Sequence, residues 1–424
     1  MNVIRKELSP GVFFNHVHAN KFKTGLLSAQ LITPLAAETA SSGALLPSVL
    51  RRGTERCRDL RALSTALDLL YGAGLSGAVR KKGENQCLGF LMGFVDDAYA
   101  LDGERLLEGS AELLGEVLLR PALEGGAFVK SYVDGEKDNL IDAIRGIIDD
   151  KRDYADMRLL QEMCRGERYG IMRYGTEEAV AALNREGLYE FWQRILSSAR
   201  LELFYCGSES PERVEEAMLR GLKGLPHGER TAPADAEHRA APDKPRYITE
   251  TKDVTQGKLS MGFRASSEDA HAMLLANLLF GGYSNSKLFL NVREKLSLCY
   301  YASSSYHRSK GIVTVSSGVE FEDYSRAHDE ILDQLYAVQA GDFEPWELEG
   351  ARSVLINAVR TREDSGARIE ENLLGQAATG QWETEEELIE GVRAVTAERI
   401  TEAARSIKLD TVYFLKGEGA LGHA

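Results

Sequence analysis

The sequence predicts an α+β protein of two homologous α/β sandwich domains, each an antiparallel-rich sheet covered by helices. Three observations carry that expectation. In each half, strand-like runs come first, helices follow and a strand closes the set. Leu45, Leu46, Leu50 and Gly53 recur at one constant offset as Leu274, Leu275, Leu279 and Gly282. Between the halves, Pro226–Pro245 carries four prolines, many charges and no periodicity, the composition of an exposed linker. The expected domains are therefore 1–225 and 246–424, joined by 226–245. A chain of 424 residues, 43% of them hydrophobic, is too long for one ordinary core and suits two.

Taken in order, Gly11–His18 and Thr24–Ile32 are short apolar or alternating runs and predict strands. A helix is expected over about 41–52. Leucines 60, 63, 67 and 70 share one helical face, and Tyr71-Gly-Ala-Gly74 stops that helix. Residues 75–82 and 86–94 predict a hairpin turning at Gly83-Glu-Asn85. Helical stretches are expected at 103–119, 125–150, 154–164 and 176–198, then a strand at 200–206 and a helix at 211–222. The second half offers a strand at 257–263, a helix at 271–282 and strands at 299–305 and 311–319. Helices at 324–340, 345–363, 366–379 and 384–406 precede a closing strand at 411–416. A two-fold repeat of about 200 residues fits this order.

Composition excludes several classes. A formal charge of −14 argues against nucleic acid and anionic membrane as partners. No apolar run reaches membrane-spanning length, and Met1–Leu8 lacks the pattern of a signal peptide. Cys57, Cys87, Cys164, Cys206 and Cys299 are odd in number and widely spaced, as expected of reduced thiols in the cytoplasm. The eight histidines include no pair four apart. His16 and His18 would share one strand face; the choice there lies between a metal pair and an ordinary edge-strand pair. Gly281-Gly-Tyr-Ser-Asn-Ser follows a helix and lacks the Gly-Lys-Ser/Thr of a phosphate loop.

Two stretches carry more. Ala44-Leu-Leu-Pro-Ser-Val-Leu-Arg-Arg-Gly-Thr54 is an apolar helix ending in Gly-Thr, and its repeat leads into Ser284–Tyr300. Together they resemble the insulinase/pitrilysin family of zinc peptidases, which includes the mitochondrial processing peptidases, and most of all its short bacterial members. The family carries His-x-x-Glu-His on this helix: two histidines on one face hold zinc and the glutamate acts as general base. With Gly53-Thr54 fixing the register, the motif positions hold Ala44, Pro47 and Ser48. The third ligand position falls on Ala143, seven residues beyond Glu136, with Asp142 adjacent. In Ser284–Tyr300, Arg293 and Tyr300 match in identity and spacing the family's substrate-binding pair, which holds the substrate backbone and helps stabilise the tetrahedral intermediate; Ser297 replaces the usual glycine.

The resemblance implies half of a clam-shell and a non-catalytic, substrate-binding subunit of a heterodimeric zinc metallopeptidase. No cofactor is expected in this chain. Zinc is expected in a homologous catalytic partner, with peptides as substrates and leader-peptide processing as one form of the reaction. The alternative is a catalytically dead scaffold or peptide-binding protein of the same fold.

Overall fold

A computed structural model describes residues 3–417 of the chain. Strands β1 (Val3–Ser9), β2 (Val12–His18) and β3 (Thr24–Pro34) open it. Helices α1 (Ala37–Leu50) and α2 (Leu60–Asp68) lead to the hairpin of β4 (Gly74–Lys82) and β5 (Asn85–Val95). After α3 (Leu106–Leu119), β6 (Leu123–Glu124) and β7 (Ala127–Phe128) form a small hairpin before α4 (Lys130–Arg145). Next come α5 (Lys151–Met163), α6 (Glu177–Ala182), α7 (Arg185–Ser198), β8 (Arg200–Gly207) and α8 (Pro211–Gly221). The second half contains β9 (Arg246–Thr251), β10 (Gly257–Arg264), α9 (Ala270–Asn277), β11 (Cys299–His307) and β12 (Ile312–Val319). It ends with α10 (Tyr324–Ala340), α11 (Pro345–Arg362), α12 (Gly366–Thr379), α13 (Glu385–Arg393), α14 (Ala397–Arg405) and β13 (Lys408–Lys416).

Three helices differ from their sequence expectation, each for a local reason. The helix expected from 125 starts at Lys130, because Gly125 and Gly126 take positive φ values of 61° and 81° and turn the β6–β7 hairpin. The 176–198 stretch breaks where Asn184 leaves helical backbone and caps α7 by accepting from the Gly187 N–H. Thr396 breaks 384–406 in the same way, accepting from the Arg399 N–H. Strands β1 and β9 were not expected. Both lie at sheet edges and carry polar, half-exposed side chains, so no apolar alternation marks them.

The chain forms two compact units. The first gathers the chain up to Arg145, Ile171–Asp235 and Arg362–Trp382; the second gathers Gly146–Gly170, Ala236–Thr361 and the chain from Glu383. They therefore cut the chain differently from the two contiguous halves, because each half lends one helical segment to the other's sheet.

The first unit holds a six-stranded sheet in the order β1-β2-β8-β3-β5-β4. All its neighbours are antiparallel except β2 and β8. Alternation along β3 sends Leu27, Ala29 and Leu31 into the main core with α1, α3 and α7. On the other face, Ile32 meets Leu374 of α12, and Phe204 meets Ile369 and Leu373. A buried polar contact accompanies this packing: the Ser28 hydroxyl donates to Glu370 Oε1 at 2.8 Å, and Arg80 donates to both Glu370 oxygens.

The second unit holds a five-stranded sheet in the order β11-β12-β10-β13-β9, with only β9 and β13 parallel. Leu259, Met261 and Phe263 of β10 enter its main core. The opposite face is covered by α5, where Ala155 and Leu159 meet Tyr413 and Leu415, and the Ser260 hydroxyl donates to Asp156 Oδ1 at 2.6 Å. The sheets share one plan: β2, β8, β3, β5 and β4 correspond in order to β9, β13, β10, β12 and β11.

The linker is laid down rather than free. Thr231 N–H donates to the Ser198 carbonyl, and Ala234 exchanges two hydrogen bonds with the Asn85 side chain. Further on, Lys310 Nζ donates to the Glu237 carbonyl. Among the described residues, no helix is long and apolar enough to cross a membrane.

Candidate functional site

Helix α1 is buried along most of its length, including two of the three positions that the resemblance assigns to the metal motif. Ala44 is buried, Pro47 packs against β4 at Gly77, and Ser48 is exposed. Gly43 lies so close to Gln86 that a Cβ would stand 2.2 Å from its Oε1; the Gln86 amide in turn donates to the Ala40 and Arg173 carbonyls. On α4, which packs on α1, Ala143 and Asp142 are exposed. Glu136 accepts from Arg52 Nη1 at 3.0 Å, and the same guanidinium lies over the Tyr132 ring. Ala44, Pro47 and Ala143 offer no donor atom and Glu136 is committed to a cation, so these residues do not fit a zinc ion. Among the described residues, no group of three or more His, Cys, Asp or Glu is arranged to hold a metal.

Gly-Thr at the helix end has a structural task of its own. A Cβ at Gly53 would lie 2.5 Å from the Arg58 carbonyl oxygen, and the Thr54 hydroxyl donates to Glu116 on α3 while accepting from the Cys57 N–H. This anchor needs no metal.

His16 and His18 stack on one face of β2, with ring planes 18° apart. His16 is buried, donates from Nε2 to the Glu209 carbonyl at 2.8 Å and lies on the Tyr205 ring. Burial lowers its pKa, which favours a neutral imidazole built into the strand. His423 lies outside the described residues. All five cysteines are buried, and none is in a disulfide. Burial pushes Cys87 up to about 12 and Cys206 to about 11, the opposite of an activated thiolate.

The Arg293–Tyr300 segment is built differently. Helix α9 continues into a wider π-type turn over Leu278–Gly282, and a second such turn spans Leu288–Lys295. Ser297 takes a left-handed backbone at φ 52°, the conformation that glycine adopts freely. Strand β11 then starts on an irregular register. Cys299 pairs with Val319 and Tyr301 with Gly318, so Tyr300 is the extra residue of a β-bulge.

Arg293 and Tyr300 line one cleft of about 430 Å³ together with Ser297, Cys299, Glu320 and Asp323. The Arg293 guanidinium lies over the Phe289 ring at 4.6 Å, with Nη1 3.5 Å from Glu294. Tyr300 is 63% exposed, and its hydroxyl donates to Glu320 Oε1 at 2.9 Å. That bond raises the tyrosine pKa, because the carboxylate disfavours a phenolate beside it. Glu320 was not singled out in the sequence. It sits just past the end of β12 and reaches Tyr300 only through strand pairing.

Comparison with known proteins bears on the family and the fold. Residues 182–355 match the family model of the peptidase M16 inactive domain. The chain is 36% identical over 416 residues to the probable inactive metalloprotease YmfF of Bacillus subtilis (strain 168), covering 97% of each. The chain belongs to the M16 peptidase family. Among solved structures, this M16 chain matches a conserved protein from Enterococcus faecalis V583 at a TM-score of 0.91 and 28% identity, over 99% of both chains. It also matches a peptidase M16 inactive domain from Pseudomonas fluorescens at 0.80 and 16% identity, over 98% of both, a likeness of fold.

Proposed function

We propose that this M16 chain is the non-catalytic, substrate-binding subunit of a two-chain zinc metallopeptidase. It supplies Arg293 and Tyr300 to the zinc site of a homologous partner that carries His-x-x-Glu-His. The observation that carries this reading is the cleft lined together by Arg293, from the turn before β11, and Tyr300, at the bulge of that strand, in a chain whose own α1 carries no histidine. An arginine offers only donors and a tyrosine both donates and accepts, a pair suited to a peptide backbone. The substrates on this reading are peptides or unfolded segments, with leader-peptide processing as the form of the reaction proposed. Five buried cysteines outside any disulfide suit a cytoplasmic setting.

The purified chain alone should bind no stoichiometric zinc and cleave no peptide. Adding a homologue with the intact motif should restore proteolysis, and Arg293→Ala or Tyr300→Phe should each lower kcat/KM about tenfold or more. Zinc held on α1 would overturn the reading. Full activity of both variants in a verified heterodimer would make the chain a scaffold instead.

A further inference from the structure

We propose that Glu320 is a positioning residue that turns Tyr300 into a hydrogen-bond acceptor for a peptide N–H, so that Arg293 and Tyr300 together grip the carbonyl and the N–H that one residue of an extended substrate turns to the same side. The inference rests on the substrate-binding reading above. A phenol carries a single hydrogen. In this chain that hydrogen points to the Glu320 carboxylate at 2.9 Å. A neutral peptide carbonyl is a weaker acceptor than a carboxylate, so substrate does not draw the hydrogen away in the ground state. The lone pairs of the phenolic oxygen are left for the cleft. Arg293 has no acceptor and takes the carbonyl.

The backbone supports this assignment. The bulge sets Tyr300 out of register with β12, and Ser297 supplies the left-handed turn before it. Glu320 follows directly on Val319, the residue paired with Cys299. In this antiparallel register Glu320 lies one step beyond the partner of Cys299, and its side chain reaches back along the strand edge to the Tyr300 hydroxyl at 2.9 Å. A bulge without that carboxylate would leave an exposed tyrosine free to change rotamer; with it, the ring is tethered at its tip.

The peptide class follows from the geometry. Substrates need a free N–H at the residue that meets Tyr300, so proline or an N-methylated residue at that one position is rejected.

The test uses the full-length chain and its reconstituted pair with a His-x-x-Glu-His homologue. Difference absorbance between the parent and Tyr300→Phe isolates the titration of Tyr300; the same difference is taken in a Glu320→Gln background. Tyr300 should ionise at lower pH when Glu320 is replaced. With randomised fluorogenic ten-residue peptides, Glu320→Gln should lower kcat/KM about tenfold, and Glu320→Gln/Tyr300→Phe should be no worse than Tyr300→Phe alone. An N-methyl scan of the best-cleaved peptide should show one position whose block is severe in the parent and absent in Tyr300→Phe. An unshifted Tyr300 titration, or losses that multiply in the double variant, overturns the role of Glu320 while leaving the Arg293–Tyr300 reading in place. Full activity of Tyr300→Phe overturns the substrate-binding reading itself, whatever the titration shows.

Discussion

The residues that matter most are those whose chemistry and backbone disagree with their neighbours. Ser297 is one: its φ of 52° is a region where a Cβ crowds the following carbonyl. We expect Ser297→Gly to change stability by less than about 0.5 kcal/mol, since relief of strain is offset by extra freedom in the unfolded chain. Ser297→Val should cost about 1 kcal/mol or more and disturb the Tyr300 bulge. Urea unfolding of the two variants checks this, and equal midpoints would show that the turn carries no strain. Arg293 and Tyr300, like Ala44, Pro47 and Ser48, were singled out through the family resemblance rather than by spacing alone, and the structure adds that the first two line one cleft. Glu320 was not singled out, because its relation to Tyr300 depends on a bulge, and a bulge leaves no mark in a single strand's pattern. Nor was the Arg52–Glu136 pair, which joins two helices far apart in sequence.

At the scale of elements, apolar periodicity was a sound guide wherever a face is buried. The central strands β3, β5, β8, β10, β12 and β13 fall where alternation or apolar runs put them. Polar edge strands escaped it, and helix breaks at Asn184 and Thr396 depended on capping bonds rather than on composition. Helix α5 is bound to its sheet by a charged cluster: Glu250 accepts from Tyr413 at 2.7 Å, Tyr154 at 2.8 Å and Arg158 at 3.1 Å. Burial alone would raise the Glu250 pKa, but these donors outweigh it and hold the carboxyl at about 2. The folded value lies below the unfolded one of about 4.3. Protonation therefore favours the unfolded chain. The stability from this cluster is complete above about pH 4.3 and is lost as pH falls towards 2. Thermal midpoints between pH 5 and pH 2, expressed relative to neutral pH, should fall less steeply in Glu250→Gln; identical slopes would remove the cluster from the acid response.

For the whole molecule, the two-fold repeat was visible as a recurring leucine–glycine pattern, and the sheet orders show its full extent. The reciprocal loan of α5 and α12 was not visible, because nothing in an amphipathic helix names the sheet it will cover. It makes a concrete prediction. Proteolytic cleavage within Pro226–Pro245 should leave the two pieces associated under native conditions, and neither should remain folded after separation in denaturant and refolding alone. Release of a stable, native half would refute this. The same loan bears on how the protein is made. Strand β8 completes the first sheet's central set at Gly207, but the helix that covers its second face ends at Thr379. At ordinary rates of translation the ribosome needs on the order of 10–35 s to cover that distance. For that interval Ile32, Phe204 and their neighbours form an uncovered apolar surface on a nascent chain. The architecture thus gives chaperones a defined window, closed only when the late helix emerges.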